Sequence, residues 1–323
     1  MRKLLLGTTA LAAATAMSAS ALADVSIAGS YEFKYKSESS QVASKDGTTM
    51  GHGGNDLVLT FTNKTDSGLT LAYRYDISDM TTDGGAMTGD ENSLSISGGF
   101  GKIVLGTDDD AADAYNIDEM DLPTEEPGAG TLASASIGTS SSVSSADDIK
   151  VAYHLPAMGG LTAGASFTNE SAAGNADTTE FGMKYSMSAG GASITIGGGQ
   201  ATTENSTQDI DQQNLGLKVV SGNISAALSQ GSYEASSQDE TSTSAAISFK
   251  VSDVMTVGAF TTEVEDDSTS EELQVSGVEL AYTIAPGLSA VINVEDYDYK
   301  VGTSSGNTAD SGTTSRLAIK ASF

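Results

Sequence analysis

Apolar and polar side chains alternate along nearly the whole chain after Asp24. In the first such segment, 25–36, the apolar positions are Val25, Ile27, Tyr31, Phe33 and Tyr35. Successive side chains of a β-strand point to opposite faces, so this period predicts strands with one apolar and one polar face. No segment has a convincing helical period, and a chain with 36 glycines and 4 prolines is typical of strands joined by turns.

The connections between these segments alternate between tight and long. The tight ones carry the Gly, Asp, Ser and Pro that tight turns need, and lie at 65–68, 98–101, 157–160, 188–190, 221–222, 252–253 and 285–287. The long ones are polar and lie at roughly 37–54, 78–91, 107–147, 168–179, 199–213, 230–243, 264–273 and 301–313. Seven tight turns and eight long loops predict sixteen strands, with both termini on the tight-turn side.

An even number of antiparallel strands allows the last strand to pair with the first. A sheet that spans a bilayer needs this closure, because each unpaired amide in hydrocarbon costs several kcal/mol. Short turns at one rim and long loops at the other are the layout of outer-membrane barrels, whose tilted strands need about 9–11 residues. The sequence therefore predicts an all-β fold, a 16-stranded antiparallel transmembrane β-barrel with short periplasmic turns and long extracellular loops.

Basic residues within the predicted strands support this fold. Each falls in the phase opposite to the apolar face of its strand: Lys34, Lys36, Arg74, Lys102, Lys150, Lys184, Lys218, Lys250, Arg316 and Lys320. A Lys or Arg at mid-membrane on the lipid face costs roughly 2–4 kcal/mol. Lys300 does not fit the phase of 288–294, so we expect a bulge or a loop boundary near Asp296. A soluble β-sandwich would show the same phase, but it rarely alternates tight and long connections so regularly.

The N-terminus predicts a targeting segment. Arg2 and Lys3 precede an Ala-rich apolar stretch at 4–17, and Ala21-Leu22-Ala23 is a small-x-small cleavage site. The stretch is too short and too interrupted for a transmembrane anchor. We expect a signal peptide at 1–23, with a cut after residue 21 as the alternative, and a mature barrel at 24–323. Export by this route predicts the bacterial outer membrane.

The chain is strongly acidic, with a formal net charge of −28. Removing residues 1–23 removes two positive and no negative charges, so the mature charge is −28 − 2 = −30. A chain of this charge is not expected to bind nucleic acid, and its field favours cations near its surface or in its lumen. The alternative is that the charge serves solubility in a salty medium.

The residues for catalysis are scarce. There is no cysteine, and the two histidines, His52 and His154, are the only candidate bases of the triad type. We interpret both as ordinary polar residues and predict that the protein is not an enzyme.

The last strand ends in an aromatic residue. From Leu317 to Phe323 every second side chain is larger and more apolar. This segment resembles the terminal strand of outer-membrane β-barrels, which is the recognition signal of the assembly machinery. We expect Phe323 to face lipid at the periplasmic rim, beside Asp24 and Val25.

The segment Phe100-Gly101-Lys102-Ile103-Val104-Leu105-Gly106 is similar to the Gly-Phe-Gly stretch that leads into strand five and the third loop of the sixteen-stranded general diffusion porins. With the start, the end and the strand count, the mature chain resembles the alphaproteobacterial type of that family. It departs in having few arginines and no tryptophan. The resemblance implies a homotrimer in outer-membrane lipid, with the third loop, 107–147, folded into the lumen as a constriction.

The third loop is rich in carboxylates. In a narrow lumen, carboxylates repel anions and lower the barrier for cations. We therefore expect a constriction that includes Asp108, Asp109, Asp110, Asp113, Asp118, Glu119, Asp121, Glu125 and Glu126. The alternative is a solvated acidic surface loop.

Basic residues are expected on the opposite wall, because strands sixteen, one and three are neighbours or near neighbours after closure. They are Lys34, Lys36, Arg74, Arg316 and Lys320. The family resemblance implies a transverse field between this wall and the acidic loop. The alternative is that these bases only balance the nearby carboxylates Glu32 and Asp76.

A further interpretation is a calcium site at Asp108, Asp109 and Asp110, because calcium takes six to eight oxygen ligands. The spacing does not match an EF-hand loop, but porins resembling this chain sometimes hold calcium in these loops. No other cofactor is required.

The sequence thus predicts an outer-membrane porin, a water-filled and cation-preferring channel for passive diffusion of ions and small hydrophilic solutes. One alternative is a substrate-specific channel. Sugar-specific porins resembling maltoporin use an aromatic slide, and the third loop here offers only Tyr115. Another alternative is a secreted, acidic, calcium-dependent adhesin.

Overall fold

The computed structural model of the chain is a closed antiparallel β-barrel. The structure describes residues 24–42, 45–78, 88–109, 111–117, 149–169, 176–204, 209–236, 238–302 and 308–323. The predicted signal peptide at 1–23 lies outside these ranges. Among the described residues, no helix has the length and apolar character needed to cross a membrane.

The barrel is built from β-hairpins joined in chain order. Its strands are β1 (Asp24–Ser40), β2 (Gly47–His52), β3 (Leu57–Lys64), β4 (Thr70–Ser78), β5 (Thr88–Gly98), β6 (Gly101–Thr107), β7 (Lys150–His154), β8 (Leu161–Asn169), β9 (Asp177–Ala189), β10 (Ala192–Glu204), β11 (Asp209–Ser221), β12 (Ile224–Ala235), β13 (Gln238–Ser252), β14 (Met255–Asp266), β15 (Glu271–Ala285), β16 (Leu288–Lys300) and β17 (Asp310–Ser322). A 3-10 turn, Asp113–Tyr115, follows β6.

Seventeen strand segments occupy sixteen positions, because β2 and β3 share one position beside β1. β2 pairs with the outer part of β1, from Phe33 to Glu38, and β3 pairs with its first six residues. The predicted sixteen-stranded barrel is therefore confirmed.

The barrel closes between β1 and β17, whose register runs from Ser30↔Ser322 to Ser40↔Gly312. Phe323 continues this ladder, because its N–H donates to the carbonyl of Gly29 at 2.9 Å and its carbonyl accepts from the Gly29 N–H at 3.2 Å. The expectation that Phe323 lies beside Asp24 and Val25 is wrong. Strands of a barrel are tilted and their register is staggered, so β1 continues past the end of β17.

The two faces of the sheet differ in chemistry. Large apolar side chains are exposed on the outward face, among them Ile27, Phe61, Tyr73, Leu94, Tyr153, Phe181, Leu217, Phe249, Val278, Ile292 and Phe323. The ten basic strand residues predicted to avoid this face lie on the inward face. Lys184, for example, is two residues from Gly182, whose backbone contacts a chain segment inside the barrel.

The expectation of a bulge or a loop boundary near Asp296 is wrong, because β16 continues through this position. β16 pairs with β15 in unbroken register from Lys300 back to Ser289. Its outward positions change from Ile292 and Val294 to charged residues without any change of phase. Lys300 is outward-facing and pairs with Glu272 at 2.5 Å. The change in polarity marks the end of the apolar band rather than the end of the strand.

Several predicted long loops are also corrected. The connections after β10, β12 and β14 are only 205–208, 236–237 and 267–270, because the polar segments flanking them continue the ladder. Consequently β9 to β17 have 12–15 residues each, beyond the expected 9–11. Inside this part of the barrel some of the inward positions form a buried apolar cluster: Ala246, Phe260, Val264, Leu273, Val275, Tyr297 and Tyr299.

Candidate pore constriction

A segment of the predicted third loop lies against the inner wall of β8 to β11. Ala111, Ala112, Tyr115 and Ile117 in this segment are buried. Glycines of these four strands lie directly against the segment. The placement of 111–117 agrees with an inward-folded loop.

Hydrogen bonds hold the start of this segment to the wall. The N–H of Ala111 donates to Ser166 Oγ at 3.0 Å, and the N–H of Ala112 donates to Glu180 Oε2 at 3.4 Å. Ser166 Oγ also donates to Glu180 Oε2, at 2.8 Å. Ser166 and Glu180 are cross-strand neighbours, so two adjacent strands bind two adjacent backbone amides.

A second attachment joins Tyr115 to His154. The phenol oxygen lies 2.8 Å from His154 Nδ1, and the imidazole tautomer decides which atom donates. Burial raises the pKa of the Tyr115 phenol above its ordinary value, so the group stays protonated at neutral pH. Sequence reasoning treated His154 as an ordinary polar residue and missed this partner. His52 ends β2, where its ring packs edge-on against Tyr31 at 5.5 Å between centroids.

The predicted acidic constriction is represented among the described residues by Asp108, Asp109 and Asp113. Asp108 and Asp109 lie with Glu91 of β5 in a group in which one carboxylate oxygen from each residue lies within 4.8 Å of the other two. Ser93 Oγ donates to Asp108 Oδ2 at 2.9 Å. Asp113 begins the 3-10 turn. The other predicted acidic residues lie outside the described residues: Asp110, Asp118, Glu119, Asp121, Glu125 and Glu126.

Glu91 was not predicted as a site residue. It lay at the end of a predicted loop, 78–91, whereas the structure places it within β5, which begins at Thr88. Strand pairing then brings it beside the start of the third loop, because Asn92 is opposite Thr107. The three carboxylates of this group come from two segments that only the sheet register brings together.

The basic wall residues face carboxylates of the same wall. On the β1–β17 seam, Lys34 and Lys320 approach Glu32 at 2.7 and 3.3 Å, and Lys36 approaches Glu38 at 3.1 Å. These pairs favour the alternative that the bases balance nearby acids.

The two arginines are paired in the same way. Arg316 lies 2.7 Å from Glu295, and both side chains are largely buried. Arg74 lies 2.8 Å from Asp76 and also pairs with Glu91. Arg74 therefore borders the acidic group of Glu91, Asp108 and Asp109, whereas the other four bases line the seam of β1 and β17.

Further carboxylates occupy inward positions of β13 to β17. They are buried on the same strand faces as the lumen-side cluster: Glu240, Asp266, Glu271, Glu279, Glu295 and Asp310. Among the described inward positions of these strands, the basic residues are Lys250, Arg316 and Lys320. The inner surface is thus acidic on this side as well.

A closed antiparallel barrel with an apolar outer face, a polar inner face and a chain segment on its inner wall is the architecture of a pore-forming outer-membrane protein. Sequence comparison specifies the family. A family model described as Gram-negative porin matches residues 7–302, and the chain belongs to that family. No curated protein matched the sequence.

Solved structures share the fold at low sequence identity. A loop L8 deletion mutant of OmpT, an outer membrane protein of Vibrio cholerae, has a TM-score of 0.70 at 15% identity, covering 93% of this chain and 99% of that one. An anion-selective porin from Comamonas acidovorans has a TM-score of 0.68 at 16% identity, covering 94% and 100%. The trimer form of Vibrio cholerae OmpT has a TM-score of 0.69 at 16% identity, covering 93% and 99%.

Proposed function

We propose that this outer-membrane porin forms a water-filled, cation-preferring channel for passive diffusion of ions and small hydrophilic solutes. A cleaved signal peptide at 1–23 directs its export, and the loop 107–147 forms its constriction. Family membership favours a channel over the secreted adhesin. The third loop offers a single tyrosine, Tyr115, whose phenol is held against the wall by His154, so nothing favours an aromatic slide for sugars.

The observation that carries the cation preference is the group formed by Glu91, Asp108 and Asp109 at the start of the inward-folded segment. One unit charge at about 6 Å in water is worth ~0.7 kcal/mol, which changes the local cation concentration about threefold. Because the seam bases are paired with wall carboxylates, they offset little of this field. The anion selectivity of the Comamonas acidovorans porin is a property of that chain, since the shared fold does not fix the sign of lumen charge.

A planar-bilayer measurement tests this function. In a KCl gradient, the purified protein is expected to give stepwise conductance and a reversal potential that shows preference for K⁺. The double variant Asp108→Asn, Asp109→Asn is expected to move the reversal potential towards zero. Asp66→Asn, in the exposed turn between β3 and β4, is the matched control and should keep the wild-type potential. Anion preference in the wild type would refute the charge argument.

We also infer a homotrimer, supported by the trimer form of the similar Vibrio cholerae OmpT. The exposed apolar outer face is available to lipid or to a second copy. Mass measurement in a non-denaturing detergent before and after heating tests the trimer. A mass of one chain in the unheated sample would contradict it.

A further inference from the structure

Five glycines form a continuous strip on the inner wall, and we call it the glycine trough: Gly164, Gly182, Gly197, Gly199 and Gly216. The register places Gly164 opposite Gly182, Gly182 opposite Gly199, and Gly197 opposite Gly216. The trough therefore crosses β8, β9 and β10 at one level, steps two residues along β10 from Gly199 to Gly197, and continues onto β11 at Gly216.

The segment 111–117 lies in this trough along its length. Ala111 lies over Gly182, Ala112 lies over Gly199, and Ile117 lies over Gly216. The row above the trough, towards the loops, provides Ser166 and Glu180, which bind the first two amides of the segment.

The fit leaves no room for a side chain on the wall. A Cβ built at Gly197 would lie 2.5 Å from the Tyr115 carbonyl oxygen, and one at Gly199 would lie 2.6 Å from the Ala112 carbonyl oxygen. At Gly182 and Gly216 the Cβ would be closer still to a carbonyl oxygen of the segment. The obstructing atoms are mostly backbone, which cannot rotate aside. Glycine within a strand is typical of a close approach of another backbone.

We propose that the glycine trough sets the depth at which the third loop is seated, and thereby the free cross-section of the pore. Gly182 and Gly216 are then pore-size-determining residues although their own atoms are covered by the loop. This inference rests on the proposed channel function and adds to it the part of the wall that controls its size. A methyl group in the trough would lift the segment into the lumen and narrow the passage.

Gly258 in β14 is a matched control. It faces inward, two residues from the buried Phe260, and a Cβ there would meet the Ile247 carbonyl oxygen at 3.5 Å, an ordinary contact. Gly258→Ala adds the same methyl group to the same kind of strand position without touching the segment 111–117.

Single-channel conductance in a planar bilayer tests the proposal. Gly182→Ala and Gly216→Ala should each lower the conductance, while Gly258→Ala should keep the wild-type value. Unchanged or raised conductance in both trough variants would overturn the proposal. A wild type that does not conduct would instead refute the channel function itself, so the two failures are distinguishable.

A second measurement covers the case in which the trough variants do not fold. Ala112 and Ala201 pack together and are buried, and the chain has no cysteine, so a pair of cysteines at these positions forms the only thiol pair. If the segment stays seated during conduction, oxidation should leave the conductance of the Ala112→Cys, Ala201→Cys variant unchanged. If oxidation changes the conductance of this variant and dithiothreitol reverses the change, the segment is not seated in the trough while the pore conducts, and the proposal is contradicted.

Discussion

At the scale of single residues, Glu91 has both basic and acidic neighbours. It pairs with Arg74 and lies beside Asp108 and Asp109. Lys150 donates from Nζ to the Asp108 carbonyl oxygen. Two cations therefore lie beside the three carboxylates of this group. Such a group attracts small cations, but it is already partly neutralised.

This geometry makes the calcium hypothesis testable, with Glu91 in addition to the predicted aspartates. Oxygen ligands from three carboxylates suit calcium, but the adjacent Arg74 and Lys150 predict weak binding, about 10⁻⁴–10⁻³ M in Kd. Millimolar CaCl₂ should raise the thermal unfolding temperature of the wild type and raise it less in Glu91→Gln, because a ligand that binds the folded state stabilises it. The measurement is unfolding in detergent, followed by circular dichroism. Equal shifts in Glu91→Gln and the control Asp66→Asn would exclude this site.

At the scale of elements, the polarity of a segment did not decide whether it belonged to a strand. The polar segments at 199–213, 230–243 and 264–273 were predicted as loops, yet most of their residues belong to β10 to β15. Beyond the apolar band a strand still satisfies its amides through its neighbours, so polar outward side chains cost it nothing. On β16 the outward residues change from Ile292 and Val294 to Asp296, Asp298 and Lys300 within one regular strand.

The boundary on β16 predicts a contrast between two arginine substitutions on one face. Ile292→Arg lies in the apolar band and should destabilise the folded barrel by roughly 2–4 kcal/mol if the position is at mid-membrane. Asp298→Arg, six residues on and outside the band, should cost about 0–1 kcal/mol. Urea titration of folding into lipid vesicles measures both values. Similar costs for the two variants would show that the band does not end between these positions.

At the scale of the whole molecule, closure depends on the seam between β1 and β17. The seam is continued by the two hydrogen bonds between Phe323 and Gly29, and Phe323 is 85% exposed, with its side chain on the outward face. A side chain so exposed adds little packing to the barrel. Its outward position suits the proposed role as the signal for the assembly machinery.

Two variants separate this signal from the backbone seam. Deletion of Phe323 should lower the amount of heat-resistant barrel in outer-membrane fractions. Phe323→Ala keeps both backbone hydrogen bonds and removes the ring, so it should cause a similar loss if the ring is the signal. If Phe323→Ala gives the wild-type amount of heat-resistant barrel, the effect of the deletion comes from the lost backbone hydrogen bonds of the seam and not from the lost ring. If neither variant lowers the amount of heat-resistant barrel, Phe323 has no role in assembly.

The period-two pattern and the alternation of tight turns and long loops determined the barrel, because both are local properties of a chain whose strands need one apolar face. The same pattern placed the basic residues inside. Other features depended on tertiary structure, because they join segments far apart in sequence. Register placed Glu91 beside Asp108, and strand tilt placed Phe323 beside Gly29 rather than Asp24. Register between β8 and β11 brought glycines from four strands into one trough, and no local pattern could show that a third-loop segment lies in it.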